Sequence, residues 1–307
     1  MKRALAQRLV QAVVVLVGVV LLTFVMLRII PGNPIETMMG EHADSATIQR
    51  MTEEMGLNRP IPVQFTRYLS SAIRGDFGTS YSLGKTVSEL MGNAFANTLI
   101  LALFAALFAW IMGIGCGILS AMNKNHWVDR LFMGVSLLGI SLPVFMAAML
   151  LQYTFAFRLH WLPVSGTDSL KSFILPAIAL GWNSAGQVAQ MTRTTLLETL
   201  NEDYIDTARA KGRGPMGVLV LHALKNAMLP VMTMMAIQLS GLLSGAVVTE
   251  TVFSINGIGR LMVQAISGRD IPLLQGTSLL ATGVVILGNL LADCLYAVLD
   301  PRIRRGD

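Results

Sequence analysis

Three side-chain amides share one helical face within an otherwise apolar stretch of the chain. Asn183, Gln187 and Gln190 are spaced at i, i+4 and i+7, which places them above one another on a helix. An unpaired amide in hydrocarbon is costly, so these groups should face water or other polar groups. Two interpretations stay open: the amides line a path for a polar solute, or they hold helices together. Gln238 is a lone amide for which helix packing is favoured, and it is a further candidate for the same path.

Catalytic and metal-binding patterns are weak in comparison. The four histidines are scattered along the chain, and no pair has the spacing of a zinc site. Gly84-Lys85-Thr86 is like the end of a phosphate-binding loop, but Thr79 stands where that motif needs its first glycine. We therefore predict that the chain is not an enzyme by itself and binds no cofactor or metal.

The elements that position these residues are predicted to be membrane-spanning helices. Of 307 residues, 53% are hydrophobic and 13% are charged, whereas an average soluble domain has roughly 25% charged residues. A helix needs roughly 20 apolar residues to cross the hydrocarbon core. Six stretches without a charged residue meet or approach that length: 9–27, 90–123, 131–157, 172–192, 226–249 and 271–292. The sequence predicts an all-α polytopic membrane protein with six transmembrane helices.

The distribution of charge predicts the orientation of these helices. The net charge is +5, and the basic residues of the short loops lie mostly on the side of the N-terminus, which is typical of the cytoplasmic side. We therefore expect both termini in the cytoplasm and no nucleic-acid binding. The first apolar stretch follows basic residues, but it is long for a signal peptide and has no cleavage site, so we expect an uncleaved helix.

The predicted helices also define the organisation of the chain. Its segments are a cytoplasmic N-terminus (1–8), the first transmembrane helix (9–30), an extracytoplasmic segment with short amphipathic helices (31–89), a five-helix transmembrane core (90–299) and a cytoplasmic C-terminus (300–307). Within the core, 193–225 is the one cytoplasmic loop long enough to dock a partner. We expect a short helix there, capped by Thr199 or Asn201 and ended by Gly212.

Small and ionisable residues in the spans leave further alternatives open. Gly113 with Gly117, and Gly241 with Gly245, which lies outside the residues that the structure describes, allow close approach of helices, within this subunit or with a partner. Glu250 and Asp293 are expected near the membrane interfaces, and a proton-relay role for them is the less favoured interpretation.

The loop 193–225 resembles a segment of a known family. It contains Asp-Tyr-Ile-Asp-Thr-Ala-Arg-Ala-Lys-Gly from Asp203, followed by the stretch from His222 to Pro230. This resembles the EAA loop of the permease subunits of binding-protein-dependent ABC importers, with Asp-Thr-Ala in place of Glu-Ala-Ala. The resemblance implies that the residues coupled to the ATPases are Tyr204, Asp206, Thr207, Ala208, Arg209, Ala210, Lys211 and Gly212.

Further stretches narrow the resemblance to the peptide/nickel branch of that family, the dipeptide/oligopeptide permease B-like group. They extend from the first span to the C-terminus: Pro31 to Pro34, Gly56 to Pro60, Gly75 to Ser80, His160 to Pro163, Glu250 to Phe253, Gly257 to Arg260, Arg269-Asp270 and Asp293 to Arg302.

The resemblance implies a type I ABC importer permease fold and one half of a translocation pathway for peptides, metal chelates or glutathione. It implies a homologous second permease as heterodimer partner, two ATP-binding subunits that hold ATP and Mg, and an extracytoplasmic substrate-binding protein. The expected location is the bacterial inner membrane. The alternative is a self-sufficient ion-coupled secondary transporter, but the internal repeat typical of that class is not evident.

Overall fold

The computed structural model describes residues 2–29, 44–54, 56, 58–243 and 246–299, and the regular secondary structure of these residues is helical. An isolated antiparallel bridge joins Thr79 and Thr86. The helices are α1 (Lys2–Ile29), α2 (Ser45–Glu54), α3 (Ile61–Ile73), α4 (Val87–Met122), α5 (Trp127–Ser141), α6 (Val144–Leu151), α7 (Ile174–Leu200), α8 (Asp203–Ala210), α9 (Pro215–Val218), α10 (Leu224–Leu243), α11 (Val247–Val252), α12 (Ile258–Ser267) and α13 (Ile271–Leu299).

In the part of the chain that the structure describes, two π-helical turns and one 3₁₀ turn extend these helices. The π turn Gln152–Arg158 continues α6, and the π turn Leu219–Ala223 joins α9 to α10. The 3₁₀ turn Leu170–Phe173 leads directly into α7.

Helical residues make up most of every predicted span, although 131–157 is interrupted at 142–143 and 226–249 extends past α10 through two residues outside the described part. Only some of these helices have the length and apolar composition of a membrane span. Among the described residues these are Val87–Met122, Pro215–Leu243 and Ile271–Leu290, and a bent pair of helices over Trp127–Arg158 adds a fourth. The apolar part of α1, Val10–Val25, is shorter. Helix α7 is long enough, but its amides and hydroxyls lower its hydropathy. The structure therefore supports three or four spans by this measure, and the six-span arrangement stays a prediction.

The predicted span 131–157 is divided in the structure. Helices α5 and α6, with its π turn, meet at an angle of 110°. Leu142 adopts an extended conformation (ψ 127°) before Pro143, because the proline ring disfavours helical geometry in the residue that precedes it. A count of uncharged residues does not detect this break, although Pro143 signals it.

The chain forms two compact units, which are described separately. The first combines the described parts of 1–98 and 256–286, and the second combines those of 99–255 and 287–307. In the first unit, Phe24 of α1 packs edge-on against Phe65 of α3, with 5.2 Å between ring centroids, and stacks near Tyr68 at 6.4 Å. Burial raises the pKa of Tyr68 to about 12.

In the second unit, α7 is the helix around which the others pack. A Cβ atom on Gly113 or Gly117 of α4 would collide with Val188 or Thr192 of α7, so glycine is needed for this close approach. This contact lies within the subunit. Gly241 differs, because a Cβ there would meet nothing within 4 Å.

Candidate functional site

The predicted coupling segment is a short helix that ends in a glycine turn. Helix α8 covers Asp203–Ala210, and Gly212 follows in the left-handed region at φ +77°, where a residue with a Cβ is strained. The Gly212 N–H donates to the Arg209 carbonyl at 3.0 Å. Gly214 then precedes α9 at φ −66°, an ordinary conformation. Gly212 is thus the residue at which the backbone requires glycine.

The predicted caps of this helix are wrong. Thr199 lies inside α7, where its hydroxyl donates to the Thr195 carbonyl at 2.7 Å. Asn201 ends α7, and its Nδ2 donates to the Leu197 carbonyl at 3.0 Å. Glu202 occupies the cap position of α8 without a side-chain capping bond. Helix α7 runs on to Leu200, so Thr199 lies within it and bonds back to the preceding turn, and only a short turn remains before α8.

Helix α8 has one buried apolar face and one exposed polar face. Ile205 is fully buried and Ala208 is 7% exposed, within a cluster that includes Leu196 and Ala223. Ala208 is therefore placed in the protein interior, although it was predicted to be among the coupling residues. The other predicted coupling residues are exposed: Tyr204, Asp206, Thr207, Arg209, Ala210, Lys211 and Gly212.

Two polar contacts help to define the exposed face. The Tyr204 hydroxyl accepts a hydrogen bond from Asn226 Nδ2 at 2.7 Å, which ties α8 to the start of α10. Arg209 Nη1 lies 2.8 Å from Asp206 Oδ1. Since both side chains of this ion pair are mostly exposed, it contributes only a few tenths of a kcal/mol, roughly 0.3–0.5 for a helical pair. The buried apolar face therefore does most to hold α8 in place.

An open groove lies beside α8. Its volume is about 380 Å³, and its walls are mostly apolar with two arginines: Met122, Leu200, Arg209, Arg213, Pro215, Met216, Val218 and Leu219. The groove and the exposed face of α8 share Arg209, which is exposed and pairs with Asp206.

The amides predicted from spacing form a hydrogen-bonded chain. Asn183 Nδ2 donates to the Ile140 carbonyl of α5 at 3.2 Å, and Gln187 Nε2 donates to Asn183 Oδ1 at 2.8 Å. Gln238 Nε2 of α10 donates to Gln187 Oε1 at 3.2 Å and to the Ser184 carbonyl at 3.4 Å. The chain thus bridges α7 to both α5 and α10, and it brings Gln238 to the predicted amides.

Two of these amides, Gln190 and Gln238, have features that are compatible with contact to water. Gln190 is half-buried on the same helix, and its position follows the chain of amides toward the end of α7. Gln238 Oε1 is buried and has no hydrogen-bond partner among the described residues. Buried oxygens of this kind are commonly satisfied by water.

A buried ion pair lies near the same end of α7. Asp129, which is 4% exposed, accepts from Arg193 Nε at 2.7 Å and from Arg193 Nη2 at 2.8 Å. It also accepts from the Ser120 hydroxyl and from the Asn125 N–H at 2.9 Å. A bidentate guanidinium with two further donors satisfies a buried carboxylate. The network joins α4, the following turn, α5 and α7.

A buried carboxylate also lies in the first unit, on Asp270. Its Oδ2 accepts from the Ser80 hydroxyl at 2.6 Å, from the Ser82 hydroxyl at 2.8 Å and from the Ser82 N–H at 3.0 Å. Its Oδ1 accepts from the Leu273 N–H at 3.2 Å, which caps α13. Burial, and then the charge of Asp270, raise the pKa of Tyr81. Asp270 therefore fixes the loop that contains the Thr79–Thr86 bridge.

Comparison with known proteins shows the family. Residues 113–305 match the model of the binding-protein-dependent transport system inner membrane component, and residues 1–108 match that of the N-terminal part of such membrane components. The chain belongs to this family. The dipeptide transport system permease protein DppB of Alkalihalophilus pseudofirmus is 40% identical over 97% of this chain and 98% of its own length. The glutathione transport system permease protein GsiC of Salmonella paratyphi A is 41% identical over 97% of both chains.

Solved structures show the same fold for the permease. A chain of the MetNI methionine ABC transporter in an inward-facing conformation aligns with a TM-score of 0.59 at 18% identity, over 69% of the permease and 96% of that chain. A chain of an amino acid ABC transporter with histidines aligns with a TM-score of 0.56 at 14% identity, over 68% and 94%. The predicted resemblance is therefore confirmed: this is a binding-protein-dependent ABC importer permease of the peptide/nickel type.

The sequence prediction missed both buried aspartates of the permease. Asp129 lies just before the uncharged stretch 131–157, and Arg193 lies just after 172–192. The predicted orientation places both on the same side of the membrane, and this shared side was the available signal for a pair. Arg269-Asp270 was noted only for its resemblance. Glu250, expected near an interface, is fully buried; Asp293 lies outside the residues whose side chains the structure describes.

Proposed function

We propose that the permease forms half of the translocation pathway of an ATP-driven importer, and that separate ATPase subunits act on it through α8. The proposal rests on one observation: α8 buries its apolar face, including Ala208, in the helical core and exposes the other predicted coupling residues. A partner that moves α8 therefore also moves the ends of α7 and α10, which pack against it. Such a rearrangement of packed helices can couple a distant ATP site to the pathway.

The other partners follow from the same proposal. A homologous second permease completes the pathway, a soluble binding protein delivers the solute, and ATP and Mg bind to the ATPase subunits. The relatives named for dipeptide and glutathione transport support a short peptide or glutathione as the solute. We propose that α1, α4, the α5–α6 pair, α7, α10 and α13 are the six spans of a type I importer fold in the bacterial inner membrane, with both termini cytoplasmic.

The amides have two possible roles in this scheme. The bonds of Asn183, Gln187 and Gln238 support the interpretation that they bridge helices. A role of these three and Gln190 in lining the pathway stays a proposal, and the unpartnered Gln238 oxygen is the feature that favours it.

The decisive test of coupling is a proline at Gly212. Proline requires φ near −65° and has no N–H, so Gly212→Pro is incompatible with φ +77° and removes the bond to Arg209. In the reconstituted importer we expect at least a roughly tenfold loss of substrate-stimulated ATP hydrolysis and uptake. Proline at this position costs more than about 1.4 kcal/mol in backbone strain, so the end of α8 that we propose as the ATPase contact is displaced.

Gly214→Pro is the matched control, because Gly214 already has φ −66°. This variant should retain coupling. Wild-type transport by Gly212→Pro would overturn the assignment of α8, and equal losses in both variants would show a general intolerance of proline instead of a specific role of Gly212.

The orientation is tested with single cysteines in a variant that lacks Cys116 and Cys294. Cysteine at Ser45 or Ser71, in the segment 31–89, should react with a membrane-impermeant thiol reagent in intact cells. Cysteine at the exposed Thr207 should react only after the membrane is opened. The reverse pattern would invert the proposed topology.

A further inference from the structure

The connection from α4 to α5, residues 123–130, consists of the turn 123–126 and the first residues of α5, and burial separates its charges. Its acidic residue, Asp129, is buried and neutralised by Arg193. Its basic residues Lys124 and Arg130 are exposed, and no salt bridge joins either of them to an acidic residue in the described part of the chain. The charged surface of this connection is therefore basic, although its sequence contains both signs of charge.

An apolar stripe begins beside this basic surface. Trp127 is 73% exposed, and Leu131, Val135 and Leu138 follow it on one face of α5 with exposures of 51%, 42% and 56%. The buried residues of α5, among them Asp129, lie on the opposite face. In a membrane-embedded permease, an exposed stripe of leucine and valine is suited to contact with lipid chains. A tryptophan at its end is typical of the level of the headgroups.

The turn itself is held rigidly for this arrangement. Asn125 has a left-handed conformation (φ 66°), and its N–H donates to Asp129 Oδ2 at 2.9 Å. The same carboxylate that binds Arg193 thus fixes the turn between Lys124 and Trp127. The backbone from which Lys124 and Trp127 project is therefore held by this bond.

We propose that Lys124, Trp127 and Arg130 form a binding site for the headgroup of an anionic phospholipid. The charge of the site selects the occupant, since a zwitterionic headgroup offers no net charge to two exposed cations. The acyl chains would lie along the stripe of Leu131, Val135 and Leu138. The site does not include α8 or the groove beside it, so this inference goes beyond the coupling role proposed above.

The test uses the assembled importer in nanodiscs and the fluorescence of Trp127. Nanodiscs of phosphatidylcholine are prepared with a fixed fraction of either brominated phosphatidylglycerol or brominated phosphatidylcholine. The part of the tryptophan fluorescence quenching that is absent in Trp127→Phe is assigned to Trp127. We expect stronger quenching by the brominated phosphatidylglycerol. The preference of Trp127 for phosphatidylglycerol over phosphatidylcholine, measured from this quenching, should fall roughly fivefold in Lys124→Gln and in Arg130→Gln.

The matched control is Arg158→Gln with Lys171→Gln, which removes two exposed basic residues elsewhere in the same unit. It should leave the preference at Trp127 unchanged. Equal quenching by both lipids would overturn the proposal by showing lipid contact without selection. Quenching by neither would also overturn it, because a partner protein would then cover Trp127. The measurement needs neither ATP nor transported solute, so its failure is distinguishable from a failure of the coupling proposal.

Discussion

The two buried aspartates of the permease are stabilised in different ways. Asp129 is paired with a guanidinium that comes from a helix distant in the chain, and two local donors complete its bonds. Asp270 is held by hydroxyl and backbone N–H donors from Ser80, Ser82 and Leu273. Asp129 thus joins helices through a charge pair, whereas Asp270 joins a loop to a helix start through a set of dipoles.

The difference has an energetic consequence. Removal of one partner from a buried ion pair leaves the other charge without compensation. Removal of a carboxylate from a set of hydroxyls and amides leaves neutral groups, some of which can rotate toward other acceptors. Damage at Asp129 should therefore exceed damage at Asp270, and both should exceed the loss of one amide from the chain on α7.

The largest expected effect is that of Asp129→Ala. Arg193 loses its partner, and we expect the free energy of unfolding to fall by about 3 kcal/mol, the lower part of the range for buried pairs, because the Arg193 side chain keeps 25% exposure. Unfolding of the purified permease complex by SDS titration in mixed micelles measures this loss.

Two further variants sharpen this first prediction. Asp168→Ala, an exposed aspartate of the same unit, should have an effect within about 0.5 kcal/mol. The double variant Asp129→Ala with Arg193→Leu should be less damaged than Asp129→Ala alone, since no charge is left unpaired. If the double variant is the less stable of the two, the guanidinium does not depend on this carboxylate.

An intermediate effect is expected for Asp270→Ala. The change removes the α13 cap and the acceptor of both serines, and we expect a loss of about 2 kcal/mol. Asp76→Ala is the matched control, because Asp76 is exposed and accepts only from the nearby Gly78 N–H at 3.0 Å among the described contacts. Thermal unfolding of both variants gives the order. A loss in Asp270→Ala no larger than in Asp76→Ala would remove the Asp270 cluster as a support of the loop.

The smallest expected effect is that of Gln187→Leu. If the amides bridge helices, the complex should lose about 0.6 kcal/mol, with at most roughly 2. If they line a watery cavity, stability should be nearly unchanged while transport in vesicles changes. A destabilised complex with normal transport per folded molecule would exclude Gln187 from the pathway, and unchanged stability with altered transport would place it there.

The helical class of the permease was predictable because it depends on composition and period alone. Long uncharged stretches must satisfy their backbone within the segment, and the structure places a helix on each one. The i, i+4, i+7 spacing of Asn183, Gln187 and Gln190 likewise predicts one shared face. The glycine turn at Gly212 was predictable from the residue type, since a left-handed turn after a helix favours glycine.

Other features could not be obtained from local patterns. Helix α7 extends past Thr199, whose hydroxyl bonds back within the helix, and a single sequence does not show whether a hydroxyl bonds forward or back. The place of Ala208 in the interior depends on which face of α8 meets Leu196 and Ala223. The bend at Pro143 depends on local sterics, but its angle of 110° depends on the contacts of both helices.

By itself, the sequence determined that this is a helical membrane permease with an EAA-like segment, because hydropathy, helical period and motif order are properties of consecutive residues. The tertiary structure alone decided which polar groups meet: Asp129 with Arg193, Asp270 with Ser80, and Gln238 with Gln187. These contacts join residues far apart in the chain, and their energy depends on burial and on the exact complement of donors around each acceptor. The same packing buried Asp129 at the start of α5 and left the neighbouring Lys124 and Arg130 exposed.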